Sequence, residues 1–207
     1  MIAVLDLGFG NVASVTNMLK KTGVSACLAD TKESILSSNG IILPGVGSFD
    51  SCMKLLKKDI QLFEELQKKV LIEKVPFLGI CIGMQMLFEI SDEGEEPGLG
   101  WISGRVNKFS FEDTKIKIPH MGWCELTPEN NGGGIIEQDT KSRFYFVHSY
   151  YAQCDDPVTS IATANYGGKA FTAAVNYKNI FGVQFHPEKS HKFGLALLKK
   201  FSRLADV

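Results

Sequence analysis

Four short runs in the first half of the chain constrain its fold more than any other feature. Ile2-Ala3-Val4-Leu5, Ser25 to Ala29, Gly40 to Leu43 and Phe77 to Ile80 are mostly apolar, and amphipathic stretches separate them. A strand that shows neither face to water loses its polar alternation, so runs of this kind belong in a parallel sheet covered on both sides. Asn11 to Lys21 reads as a helix with Val12, Val15, Met18 and Leu19 on one side. Ser48 to Lys58 and Asp59 to Leu71 read as helices with Lys and Glu outermost, and a further helix is expected from Ile82 to Phe88. Strand–helix alternation predicts an α/β fold: an open, mixed but mainly parallel sheet with helices on both faces.

Beyond residue 91 the texture changes. Ser91 to Gly100 is acidic and glycine-rich, and reads as a loop. Trp101 to Val183 is β-rich and cut by turns, with partly antiparallel strands expected at Arg143 to Val147, Ser160 to Ala164, Phe171 to Val175 and Ile180 to Gln184. Asn130 to Gly134 reads as a turn, and Lys189 to Leu204 as a closing amphipathic helix. No repeat or linker interrupts the 207 residues, which predicts one domain over 1–207. Lys and Arg number 22 against 23 Asp and Glu, a net charge of −1 that weighs against a nucleic-acid partner. The five cysteines form no C-x-x-C pair and no zinc-spaced cluster with histidine, so no metal is expected and reduced, cytoplasmic thiols are. The apolar run before Asp6 is far too short for a signal core or a membrane span.

Gly8-Phe9-Gly10-Asn11-Val12-Ala13 follows a strand, opens a helix, and has Asp30 twenty residues past Gly10. That pattern fits a dinucleotide-binding turn. It equally fits the tight strand-to-helix turn that any doubly wound sheet needs. The motifs further along the chain favour the second reading, and no cofactor is expected.

Gly79-Ile80-Cys81-Ile82-Gly83 lies between a strand and a helix and has the form G-x-nucleophile-x-G. The glycines allow a sharp turn that presents the central side chain at the carboxyl end of the sheet. A helix N-terminus behind Cys81 favours thiolate, and the N–H of Ile82 points where an oxyanion would form. Cys27 and Cys52 lack such flanks and read as core residues. A nucleophile needs a base and an orienter. His186-Pro187-Glu188 ends the strand Gly182 to Phe185; proline keeps His186 extended, and residues two apart then project to one side. Glu188 thus reaches the His186 imidazole. Taken alone, the tripeptide reads better as a plain helix start with Glu188 near the helix N-terminus; beside the elbow cysteine, a Cys–His–Glu triad is the better reading. In Pro44-Gly45-Val46-Gly47, the peptide between Gly45 and Val46 is a candidate second oxyanion donor, with an ordinary turn as the equal alternative.

Cys81 in GICIGMQ, the loop LPGVGSFD and the terminal QFHPEKS together resemble the class I (triad-type) glutamine amidotransferases. Pro119-His120-Met121-Gly122-Trp123 and Tyr145-Phe146-Val147-His148-Ser149-Tyr150 narrow the resemblance to the branch that serves as glutaminase subunits of imidazole glycerol phosphate synthase. The resemblance implies a flavodoxin-like fold and hydrolysis of L-glutamine by Cys81, His186 and Glu188. It implies an oxyanion hole from Ile82 and from Gly45 and Val46 with a peptide flip. Gln85 and Glu93 then hold the α-amino and carboxylate ends of glutamine, and Gly47 bounds the pocket. It further implies a heterodimer with a (β/α)₈-barrel synthase subunit that receives the ammonia for histidine biosynthesis, with Asn11, Trp123, Tyr145 and Lys189 facing that partner. Milder roles for three of these are a turn former, a core residue and a solvated cation for Asn11, Trp123 and Lys189. His120 and His148 read as structural.

Two stretches, Gly98 to Trp101 and His186 to Gly194, lean toward a paralogous branch that feeds ammonia to a sugar amidotransferase in surface-polysaccharide assembly. Hydrolysis of another amide or thioester by the same elbow is a further alternative.

Overall fold

Burial along β1 (Ile2–Leu5) shows why the strand is apolar throughout. Ile2 and Val4 join one hydrophobic cluster, while Ala3 and Leu5 join another on the opposite face. The computed structural model describes residues 1–138 and 141–206. Its first half alternates strands and helices: α1 (Val12–Lys21), β2 (Ala26–Ala29), α2 (Lys32–Leu36), β3 (Gly40–Gly45), α3 (Phe49–Lys58), α4 (Ile60–Gln67), β4 (Phe77–Cys81) and α5 (Ile82–Gln85). Eight strands follow: β5 (Ile90–Ser91), β6 (Gly104–Lys108), β7 (His120–Glu125), β8 (Thr127–Pro128), β9 (Arg143–His148), β10 (Tyr150–Cys154), β11 (Ser160–Tyr166) and β12 (Lys169–Tyr177). β13 (Ile180–Val183) and α6 (His191–Leu204) close the chain.

β2, β1, β3, β4 and β13 lie side by side in that order, and every adjacent pair is parallel. This is the flavodoxin-like order, in which ligands gather beyond the carboxyl ends of the strands. The sheet continues through β12, β10 and β6 as antiparallel neighbours, and β5 pairs parallel to β6 at the edge. β11 and β8 branch from β12, and β7 and β9 form a separate antiparallel pair. One face of the sheet is covered by Val12, Val15 and Leu19 of α1 and by Leu197, Leu198 and Phe201 of α6. The other is covered by Phe49, Met53 and Leu56 of α3, Leu62 and Leu66 of α4, and Met84 of α5. The α/β architecture with helices on both faces is as expected from the apolar runs.

Three helices depart from expectation. The helix foreseen from Ile82 to Phe88 is one turn, Ile82–Gln85. The carbonyls of Met86, Leu87 and Phe88 accept hydrogen bonds from the backbone of Leu99, Trp101, Ile102 and Gly100, so the folded-back loop takes the groups a longer helix would use. The stretch foreseen as helix to Leu71 ends at Gln67 and passes into one π-helical turn, Lys68–Ile72. The closing helix starts at His191 instead of Lys189, because Pro187–Lys189 forms a 3₁₀ turn pinned by the Ser190 hydroxyl, which donates to the His186 carbonyl at 2.6 Å.

The glycine turn after β1 also finds a local cause. Gly10 has φ +97°, and a Cβ there would lie 2.5 Å from the Pro44 carbonyl oxygen of β3. Contact between two backbones explains this glycine without a bound dinucleotide.

Candidate active site

Gly45, Cys81 and His186 come from three strands that are neighbours in the sheet. Gly45 ends β3 opposite Cys81 at the end of β4, and His186 lies just beyond β13, which pairs with β4. Cys81 is the elbow the sequence predicts: its φ is 56° and ψ −109°, outside the regions ordinary residues favour. Tight packing enforces the turn. A Cβ on Gly79 would strike the Gly83 carbonyl, and one on Gly83 would strike the Leu43 carbonyl of β3. The sulfur nonetheless lines a cavity of about 310 Å³, shared with Val46, Gly47, Ile82, Gln85, Glu93 and His186. Because α5 is a single turn, its dipole gives a thiolate little support. Stabilisation of negative sulfur falls to its side-chain neighbours.

His186 lines the same cavity, is only 1 % exposed, and has an Nε2 with no hydrogen-bond partner. Its Nδ1 lies 2.8 Å from Glu188 Oε1. A carboxylate only accepts, so Nδ1 carries the proton and Nε2 is left for the cavity. Burial works against an imidazolium here, but interactions with Cys81 and Glu188 outweigh it and raise the pKa to about 9. The backbone of His186 is clamped by β9: its N–H donates to the Tyr145 carbonyl at 2.9 Å, and the Tyr145 N–H donates to Ser190 Oγ at 3.0 Å. Cys52, by contrast, is buried, and burial together with Glu93 and Cys81 pushes its thiol up to about 12. It stays protonated, as a core cysteine should.

The candidate glutamine-holding residues sit on the same cavity wall. Glu93 Oε2 accepts from the Phe49 N–H at 3.0 Å, and burial raises its carboxyl pKa. Gln85 is buried; its Nε2 donates to the Tyr150 carbonyl at 3.1 Å and to Gln184 Oε1 at 2.8 Å, while its Oε1 has no hydrogen-bond partner. Ile82 is the first residue of α5, where backbone amides lack helical acceptors. Val46 is 44 % exposed at the mouth, next to Gly47 with φ +131°. Among the described residues, no group of three His, Cys, Asp or Glu side chains gathers as a metal site.

Of the four residues expected to face a partner, Trp123, Tyr145 and Lys189 lie together. Trp123 is 46 % exposed, which corrects the milder reading of it as core. Its ring meets Tyr145 edge-on at 6.1 Å and stacks on His191 at 5.6 Å. Lys189 Nζ lies 5.9 Å from the Tyr145 ring. Asn11 occupies the N-cap position of α1 with no side-chain capping bond, and α1 packs on the Pro187–Lys189 turn.

The reading of His120 and His148 as structural fits their contacts, while sequence reasoning missed Gln184. His148 lines the cavity, and its Nδ1 donates to the Tyr150 carbonyl at 2.7 Å. His120 Nδ1 lies 3.0 Å from His148 Nε2. Burial lowers the two pKa values to about 3 for His148 and about 4 for His120, so both are neutral and neither is a second base. Gln184 is fully buried and touches Cys81. The available signal was a polar residue inside the apolar run Gly182 to Phe185.

The family model described as glutamine amidotransferase class-I matches residues 3–203. The chain belongs to the class-I glutamine amidotransferases. It is 48% identical over 204 residues to a Pseudomonas aeruginosa protein named imidazole glycerol phosphate synthase subunit HisH 2, covering 99% of this chain and 100% of that one. It is 45% identical over 207 residues to subunit HisH of the same synthase from Leptospira borgpetersenii, with the same coverage. Among solved structures, a glutamine amidotransferase crystal structure superposes with a TM-score of 0.77 at 22% identity, covering 100% of this amidotransferase and 99% of that chain. The PurLQS structure from Thermotoga maritima gives 0.73 at 19% identity, with 98% and 97% covered. Both likenesses bear on the fold.

Proposed function

We propose that residues 1–207 act as one glutaminase domain, the glutaminase subunit of imidazole glycerol phosphate synthase, hydrolysing L-glutamine with Cys81, His186 and Glu188. The observation that carries this is the convergence of a strained elbow cysteine with an imidazole, tied through Nδ1 to a buried carboxylate, in one cavity. Cys81 sulfur attacks the side-chain amide carbon, and charge on the tetrahedral oxygen is met by the Ile82 N–H and the Gly45–Val46 peptide. His186 gives its Nε2 proton to the departing nitrogen, so ammonia leaves as the C–N bond breaks and a thioester remains. Water, deprotonated by His186, cleaves the thioester to glutamate. Gln85 and Glu93 hold the amino-acid end of the substrate, and Gly47 bounds the pocket.

The relatives' names support a synthase partner and a place in histidine biosynthesis. We assign the cluster of Asn11, Trp123, Tyr145 and Lys189 to a (β/α)₈-barrel partner that receives the ammonia, in the cytoplasm. No described helix is long and apolar enough to cross a membrane. The stretches that lean toward the polysaccharide branch have packing roles instead. Trp101 is buried edge-on to Phe77 at 5.2 Å, and Gly98 and Gly194 sit against the Phe88 and Pro187 carbonyls with no room for a Cβ.

Cys81→Ala is expected to abolish glutaminase turnover, with partner and acceptor present, by at least about 10³-fold. Turnover within tenfold of wild type removes Cys81 from the mechanism. A glutamine-like chloroketone should label Cys81, with protection by glutamine; protection by unrelated amides alone points to a different hydrolase.

A further inference from the structure

A chain of buried amides ends on the nucleophile. The Tyr150 carbonyl can only accept, so the Gln85 side chain must turn its NH₂ toward it, and the same NH₂ reaches Gln184. That leaves Gln184 with Oε1 toward Gln85, and its own NH₂ is directed at Cys81 Sγ, 3.7 Å away. One backbone carbonyl thereby sets the polarity of two glutamines and delivers an N–H donor to the sulfur. In the thiol form the sulfur also lies 4.0 Å from the Val147 carbonyl, a partner for S–H only. Once the proton has moved to His186, that carbonyl no longer helps, whereas the Gln184 donor interacts more strongly with a charged sulfur.

We propose that Gln184 is a positioning residue for Cys81: its side-chain amide, oriented through Gln85 by the Tyr150 carbonyl, holds the sulfur in place and favours the thiolate. This rests on Cys81 being the glutaminase nucleophile. It links the nucleophile to the substrate-holding Gln85 through one hydrogen bond, and leaves Gln85 Oε1 as an acceptor on the cavity side. Other titratable groups around the sulfur are His186 and Glu188 beyond β13, His148 at the end of β9, Cys52 on α3 and Glu93 after β5. None of these is altered by a change at Gln184.

The test measures the sulfur directly. The full-length chain is alkylated with iodoacetamide between pH 5 and 10, and modification of Cys81 is followed by peptide mass spectrometry. Gln184→Glu keeps an acceptor for Gln85 but puts a carboxylate beside the sulfur; Gln184→Leu removes the donor. Reactivity at pH 7 should fall about tenfold in Gln184→Glu, with the midpoint moved to higher pH, and by a smaller factor in Gln184→Leu. If Gln184→Leu fails to fold, Gln184→Met, of similar length and without a donor, takes its place, and the carboxylate of Gln184→Glu serves only as a reference for the added charge. A wild-type midpoint in the folded variants, with only a lowered Tm, makes Gln184 a space-filler and overturns the proposal. Because alkylation needs no turnover, a wild-type chain inactive on glutamine with its partner and acceptor present would refute the glutaminase assignment while leaving this result readable.

Discussion

At the residue scale, the site turns on how a buried imidazole keeps a proton. His186 is almost wholly shielded, which alone would favour the neutral ring, yet Cys81 and Glu188 raise its pKa to about 9. In the proposed mechanism the His186 imidazolium protonates the leaving nitrogen, so glutaminase activity should be lost as pH rises through about 9. Replacing Glu188 by Gln removes the carboxylate that favours the charged ring. The alkaline limb should then move to lower pH, with the rate falling about 10²-fold. A pH–rate profile of Glu188→Gln checks this, and an unmoved limb assigns it to another group. The same shift links to folding. Because the native state binds the proton more tightly, the stabilisation from His186 is complete below its ordinary value of 6.5 and disappears as pH rises through about 9.

At the scale of elements, the elbow is a packing problem solved with glycine. β3, β4 and α5 approach so closely that the Leu43 carbonyl occupies the place of any Gly83 side chain. Gly83→Ala should cost about 1–3 kcal/mol of stability through overpacking and lower kcat by displacing Cys81. Urea unfolding monitored beside glutamine turnover separates the two effects, and wild-type kcat in the variant would show that the elbow tolerates the shift. The G-x-C-x-G pattern was legible because only glycine meets that backbone demand. The length of α5 was not. Met86, Leu87 and Phe88 are good helix residues, and what stops them is hydrogen bonding to a loop more than ten residues further along.

Across the whole molecule, an exposed aromatic cluster and the turn that follows His186 meet at Tyr145. Its ring stands with Trp123 and Lys189, while its backbone clamps both His186 and Ser190. A partner seated on Trp123 would therefore press on the strand that fixes the base. Trp123→Ala should leave the chain folded, since the side chain is half exposed, and, if the proposed interface holds, weaken binding to the synthase partner subunit at least about thirtyfold, as loss of an interfacial aromatic anchor does. Calorimetric titration of the two subunits measures it, and an unchanged Kd places the interface elsewhere.

The linear order of residues was enough to determine the alternating apolar strands, the elbow at Cys81 and the pairing of His186 with Glu188. Each follows from short-range rules: burial period, backbone freedom of glycine, and projection of residues two apart in an extended segment. Tertiary structure decided which distant groups share one cavity. It brought His148 of β9 and Tyr150 of β10 to the cavity beyond β4 and β13 and set Gln184 against the sulfur, though none of the three shares a local signature with Cys81. A hydrogen-bond chain gains its direction from a single carbonyl, and that carbonyl acts only once the sheet has closed around it.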